Sequence, residues 1–148
     1  MWQGRINAYF EAHRRDLVEN ICRLVRIESV KGPAEENKPF GPGPAAALME
    51  ALQMAEQMGF SVKNYDGYVG TVDFNDGERQ LDILAHLDVV PAGNGWTVTQ
   101  PFVPLERGGM LYGRGTADDK GPAMAALYAM KAVKDIGIPL KKNVRLVL

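Results

Sequence analysis

The segment from Gln80 to Asp88 constrains the fold of this 148-residue chain most strongly, because leucine, isoleucine and alanine make up most of it. A short apolar run of this kind is typical of a strand that is buried on both faces. His86 and Asp88 lie at its end. Side chains two residues apart on a strand point to the same face. The segment therefore predicts a buried strand that ends with an imidazole and a carboxylate side by side.

Helical and strand patterns alternate along the rest of the chain. Apolar residues at helical spacing predict a first helix from about Ile6 to Ile27 and a second from Ala45 to Met58, which ends at Gly59. Lys31 to Pro44 contains four prolines and three glycines, so we expect a long loop there. The remaining predicted elements are strands at 60–65, 69–74 and 143–148, a hairpin at 102–112 and a third helix that ends at 136. This order predicts an α/β fold with helices packed on a mixed, largely parallel sheet.

Composition limits the classes of partner and the setting. The chain is 46% hydrophobic and 24% charged, which fits one globular domain over residues 1–148. A net charge of −1 gives no electrostatic reason to expect nucleic acid or an anionic membrane as partner. No window is apolar enough for a membrane span, and a secretory signal pattern is absent, so the chain is expected to be cytoplasmic. Cys22, the one cysteine, is expected to be a buried apolar side chain.

Three polar side chains are expected to converge at one end of the sheet. Ligands of open α/β sheets bind beyond the carboxyl ends of the strands. His86 and Asp88 fall at such an end, and Asp118 falls in the loop before the third helix. Imidazole nitrogen and carboxylate oxygen are ligands that zinc prefers. We therefore predict that His86 and Asp118 bind a metal ion, while Asp88 fixes the orientation of the imidazole from its far side.

Simpler roles fit the same residues. A histidine at a strand end also fits a hydrogen-bonded structural role, and Asp118 or Asp119 also fits a cap on the following helix. Asp119 is assigned to that cap or to the surface. Gly113 and Gly115 are too few for a dinucleotide-binding loop, and they indicate a tight backbone turn.

Two segments taken together resemble a known family. The sequence His86-x-Asp88-Val89-Val90-Pro91, followed by Gly113-Arg114-Gly115-x-x-Asp118-Asp119-Lys120-Gly121, is similar to the metal-binding half of the M20 metallopeptidases. Gly95-Trp96 and Pro101-Phe102, between the two segments, also fit that family. Phe40-Gly41-Pro42-Gly43-Pro44 further resembles the PepV-like branch, the Xaa-His or β-Ala-Xaa dipeptidases. The resemblance covers essentially the whole chain.

The resemblance implies a hydrolase with two zinc ions, or cobalt or manganese in their place, that cleaves dipeptides with a free N-terminus. Carried onto this sequence, His86 binds one ion, Asp118 bridges both, and Asp88 is the catalytic-site aspartate that orients His86. An alternative within the family is an amidohydrolase or carboxypeptidase that acts on acylated amino acids. The general base, the other ligands and the lid domain of such enzymes have no counterpart within residues 1–148.

The chain is therefore expected to be the N-terminal part of a zinc-peptidase catalytic domain. Alone, it is expected to be inactive and to bind metal partially or not at all. Asn143 to Leu148 is predicted to be an interior strand with an uncovered edge, through which the chain can self-associate. A non-catalytic association module is the alternative from another class.

Overall fold

The computed structural model describes residues 2–148, which form three helices, a four-stranded sheet and a two-stranded hairpin. The helices are α1 (Trp2–Val25), α2 (Pro42–Gln57) and α3 (Lys120–Ile136). The strands are β1 (Ser61–Tyr65), β2 (Val69–Asp73), β3 (Arg79–Leu84), β4 (Leu105–Arg107), β5 (Met110–Tyr112) and β6 (Asn143–Val147). Each predicted element is present, with bounds shifted by a few residues. Within the described part of the chain, no helix combines the length and apolar character needed to cross a bilayer.

The four-stranded sheet is mixed, as the sequence predicts. Its strand order is β1-β2-β6-β3. The pairings β1–β2 and β2–β6 are antiparallel, and β3–β6 is parallel. The share of parallel pairing is thus smaller than the sequence prediction of a largely parallel sheet, because the β1–β2 hairpin joins the sheet next to β6.

One hydrophobic core lies between the helices and one face of the sheet. Leu24 of α1, Met124 of α3 and the facing strand residues Val72 and Leu146 are fully buried within it. α2 also packs on this face, where a side chain at Gly70 would collide with Leu48 and Leu52. Cys22 is buried, as predicted.

Two expectations about strand burial are wrong. β3 was expected to be buried on both faces, but it is an edge strand, and Leu81 and Leu84 are 52% and 77% exposed. β6 was expected to have an uncovered edge, but it lies between β2 and β3. An apolar strand sequence does not specify which strands will flank it, so pairing over long sequence distances decided both outcomes.

Candidate metal centre

His86 lies just beyond the carboxyl end of β3, in irregular backbone. The strand was predicted to reach Asp88, but it ends at Leu84, where the partner strand β6 also ends. Ala85 N–H donates the last sheet bond, to the Val147 carbonyl. Beyond the strand end, His86 and Asp88 are exposed whereas Leu87 and Val89 are buried, so the predicted two-residue alternation continues and places both polar side chains on the same side.

The His86 ring lies between two carboxylates. Its Nε2 is 3.0 Å from Asp118 Oδ1, and its Nδ1 is 3.2 Å from Asp88 Oδ1 and 3.1 Å from the Asp88 carbonyl oxygen. The three residues predicted to form the site are thus brought together. Carboxylates accept hydrogen bonds, and an imidazolium donates from both ring nitrogens, whereas a neutral imidazole donates from one. This arrangement therefore favours the protonated ring when no cation is bound.

The electrostatics of the site follow from this geometry. Partial burial acts to lower the pKa of His86, but the hydrogen bonds to Asp118 and Asp88 and the negative charge of Asp119 outweigh burial and raise that pKa above its ordinary value. The side chains of His86, Asp88 and Asp118 are 50%, 60% and 87% exposed. A ligand can reach all three from solvent.

Asp119 has a role that the sequence analysis missed. It occupies the N-cap position of α3, yet its side chain makes no capping hydrogen bond. Its Oδ2 instead accepts a hydrogen bond from the His86 backbone N–H, at 3.1 Å. The peptide bond between Asp118 and Asp119 is cis. Through these hydrogen bonds, Asp118 contacts the His86 ring and Asp119 contacts the His86 backbone.

The chemistry of these side chains fits a zinc-type ion. Two ligand atoms about 2.0–2.1 Å from a tetrahedral zinc stand roughly 3.3 Å apart. His86 Nε2 and Asp118 Oδ1 are 3.0 Å apart, which is close to that separation. Within residues 2–148, however, no cluster of three or more histidine, cysteine, aspartate or glutamate side chains is arranged to hold a metal ion. His86 and Asp118 can therefore provide only part of a coordination shell.

Two buried polar side chains near the site donate hydrogen bonds to backbone carbonyls. Ser29 is fully buried, and its hydroxyl donates to the Leu87 carbonyl at 2.6 Å. Lys120, also fully buried, donates to the carbonyls of Leu24 and Ile27 at 2.8 and 2.7 Å. Neither role was predicted from the sequence. A signal for Lys120 was available, since it stands three and four residues before Ala123 and Met124, on the buried stripe of α3.

An apolar cavity of about 380 Å³ lies beside the His86–Asp88 pair. Its walls include Phe40, Leu48, Tyr68 and Leu84. The rings of Phe40 and Tyr68 meet edge to face, with centroids 5.5 Å apart. The glycine-proline segment singled out in the sequence therefore lies at the candidate site.

Comparisons with known proteins agree with the fold and the motifs. Residues 83–148 match the model of Peptidase family M20/M25/M40. The chain is 44% identical to "Putative dipeptidase YtjP" of Bacillus subtilis (strain 168) over 137 residues, which are 91% of this chain and 29% of that protein. It is 40% identical to the Beta-Ala-Xaa dipeptidase of Lactobacillus delbrueckii subsp. lactis over 93% of this chain and 30% of that protein. The chain thus spans less than a third of the length of these relatives.

A solved structure shows the same fold. Human carnosine dipeptidase 1 superposes with a TM-score of 0.82 at 24% sequence identity, over 99% of this chain and 34% of that protein. The arrangement of three helices on a mixed sheet is thus a fold found in a known peptidase structure. With the family match and the two dipeptidase relatives, these findings identify the chain as a member of the M20 peptidase family.

Proposed function

We propose that this chain provides one half of the divalent-metal centre of a peptidase that hydrolyses dipeptides. The observation that carries the proposal is the placement of the His86 ring between Asp118 and Asp88. The relatives are dipeptidases by name, which supports dipeptides as the substrate class. The cytoplasm is the expected setting.

The residues of the chain divide the work at this centre. His86 offers Nε2 and Asp118 offers a carboxylate oxygen on the side of the ring that faces solvent. The Asp88 carboxylate accepts a hydrogen bond from His86 Nδ1. This bond fixes the orientation of the ring and leaves Nε2 directed at Asp118. A divalent ion bound there would supply a Lewis acid that polarises the scissile carbonyl and lowers the pKa of water. Zinc fits these ligands best, and cobalt or manganese are alternatives; two ions are expected in a complete centre.

The cavity next to His86 supports a small substrate. Its volume of about 380 Å³ is in the range of small-molecule sites. The aromatic and aliphatic walls, including Phe40 and Tyr68, suit an apolar side chain of a dipeptide. Lys31 also lines this cavity, and its ammonium suits the free carboxylate of such a substrate.

Zinc titration by calorimetry tests the metal proposal. We expect weak binding to the wild-type chain, a loss of at least tenfold in affinity for His86→Ala and Asp118→Asn, and roughly a tenfold loss for Asp88→Asn. His13→Ala is the matched control, because His13 stacks on Tyr9 in α1 and takes no part in the site. Equal affinities for His86→Ala and His13→Ala would contradict the proposal.

Turnover is a separate question. We expect the 148-residue chain alone to be inactive, because His86 and Asp118 leave a tetrahedral ion short of protein ligands. Hydrolysis of a β-alanyl dipeptide by the purified chain with added zinc would overturn this expectation. Hydrolysis of an N-acyl amino acid instead would favour the amidohydrolase or carboxypeptidase alternative. Absence of zinc binding together with reversible self-association would favour a non-catalytic module.

A further inference from the structure

Lys120 is a buried cation whose contacts lie outside the metal centre. It is the first residue of α3 and directly follows Asp118 and Asp119. Its side chain is fully buried, and its ammonium donates to two backbone carbonyls, those of Leu24 and Ile27. Neither partner is a carboxylate. An ammonium buried against neutral partners carries a desolvation cost, which an apolar side chain of similar length would avoid.

Lys120 contacts one carbonyl in the last turn of α1 and one just beyond the helix. α1 ends at Val25, so the Leu24 carbonyl lies in the last turn, where it also accepts from the Ile27 N–H, and Ile27 lies two residues past the helix end. The helix dipole places partial negative charge there, which favours a cation. Lys120 therefore ties the start of α3, and with it the two aspartates, to the end of α1.

The same stretch of chain also holds the segment that contains His86. Ser29 follows the α1 terminus, and its hydroxyl donates to the Leu87 carbonyl at 2.6 Å. Val89 N–H donates to the Ser29 carbonyl at 3.1 Å, within a parallel bridge between Val30 and Val89. Residues 24–30 are thus a common base to which both segments of the metal centre are attached.

Packing around the Lys120 stem leaves little room for displacement. A Cβ atom added at Gly115 would lie 2.9 Å from Lys120 Cδ and 3.2 Å from Val89 Cγ1. The aliphatic part of the Lys120 side chain therefore fills the space between Gly115 and Val89. Its position couples the loop before α3 to the segment that follows β3.

We propose that Lys120 is a positioning residue, which sets the spacing between the His86 and Asp118–Asp119 segments by tying α3 to the end of α1. Its importance for metal binding rests on the function proposed above. Its effect on the geometry of the metal-free site does not rest on that function. The positioning role and the proposed function can therefore fail independently.

Hydrogen exchange in the metal-free chain tests the positioning role. The reporter is the His86 backbone amide, which donates to Asp119, measured relative to the core amide of Leu146 as a monitor of global unfolding. We expect Lys120→Met to raise the relative exchange rate at His86 at least tenfold. Ser29→Ala, a milder change, should raise it in the same direction through the other attachment, and it keeps the test available if Lys120→Met fails to fold.

Lys134→Met is the matched control. Lys134 lies on the same helix and donates to the Gly59 carbonyl, just beyond the end of α2 and away from the metal centre. It should leave the relative exchange at His86 unchanged. If Lys120→Met and Ser29→Ala behave like this control, Lys120 merely caps α1 and the positioning role is overturned. Zinc titration of the same variants then separates the outcomes: altered exchange in a chain whose wild type binds no zinc would reject the metal proposal alone.

Discussion

At the scale of single residues, the face of the sheet opposite the core is organised around Asp73. This residue at the end of β2 faces Arg145 on β6. Its Oδ1 accepts from Arg145 Nε at 2.8 Å and its Oδ2 from Arg145 Nη2 at 2.9 Å, and the Asn143 side-chain amide donates to Oδ1 as well. Both charged side chains are largely buried, with 17% exposure for Asp73 and 23% for Arg145. A bidentate pair of this kind contributes more than an exposed one.

Asp73→Asn is expected to lower the free energy of unfolding by about 1.5 to 3 kcal/mol, because it removes the charge from a network of hydrogen bonds. Urea denaturation at pH 7 measures the loss. Glu19→Gln is the control, since the Glu19–Arg26 ion pair is exposed and lies outside the sheet. It should change stability by less than about 0.5 kcal/mol. Similar losses for both variants would contradict the role of the buried network.

The same carboxylate makes stability depend on pH. Burial acts to raise the pKa of Asp73, but hydrogen bonds from Arg145 and Asn143 outweigh it and hold the pKa below its ordinary value. The stabilisation is thus fully present above the unfolded-state pKa of about 3.9 and is lost as pH falls through the lower folded-state pKa. In the Asp73→Asn variant, the free energy of unfolding should therefore fall less steeply below pH 4 than it does in the wild-type chain.

At the scale of elements, α3 ends at the glycine that the sequence predicts as its C-terminal cap. Gly137 takes the left-handed conformation at φ 75°, and its N–H bonds back to the Lys134 carbonyl. Space is available for a methyl group there, since no atom would lie within 4 Å of an added Cβ. Any cost of a side chain at this position therefore comes from the backbone conformation alone.

Gly137→Ala is expected to destabilise the chain by about 1 kcal/mol, because alanine disfavours positive φ. Gly4→Ala makes the same chemical change inside α1, where an added Cβ also meets nothing within 4 Å. It should stabilise the chain by up to about 0.5–1 kcal/mol. Thermal unfolding of both variants checks the opposite signs. A shift in the same direction for both would contradict the backbone explanation.

Helix ends and the hairpin could be predicted because their signals are local. Gly137 closes α3 as expected, and the Gly108-Gly109 pair joins β4 to β5. The flanking strands of β3 and β6 could not be predicted, since they depend on pairings between distant segments. At the candidate site, the convergence of His86, Asp88 and Asp118 followed from the sequence. The contact of Asp119 with the His86 backbone did not, because a helix cap explained that aspartate equally well.

At the scale of the whole molecule, the two edges of the four-stranded sheet are formed by different kinds of strand. β1 forms one edge and β3 the other. The β3 edge exposes Leu81 and Leu84. An exposed apolar edge strand is a template for pairing with another chain. The sequence predicts self-association through the edge of β6. Because β6 is an interior strand, we expect self-association through the edge of β3 instead.

We expect the purified chain to self-associate with increasing concentration, and Leu81→Lys to shift it towards monomer, because a charge on an edge strand opposes pairing. Sedimentation velocity over a concentration series measures the change. Met110→Lys is the control, since Met110 is 58% exposed on β5, outside the four-stranded sheet. An equal shift for both variants would show that the β3 edge is not the interface.

The central position of β6 has a consequence for the order of folding. Asp73 and Arg145, paired across β2 and β6, are 72 residues apart in the chain. The β1–β2 hairpin can form early from neighbouring residues, but β3 has no partner in the sheet until β6 arrives. Closing such long loops is slow. Because His86 follows β3 directly, we expect the candidate site to be assembled in the last and slowest step, together with the sheet itself.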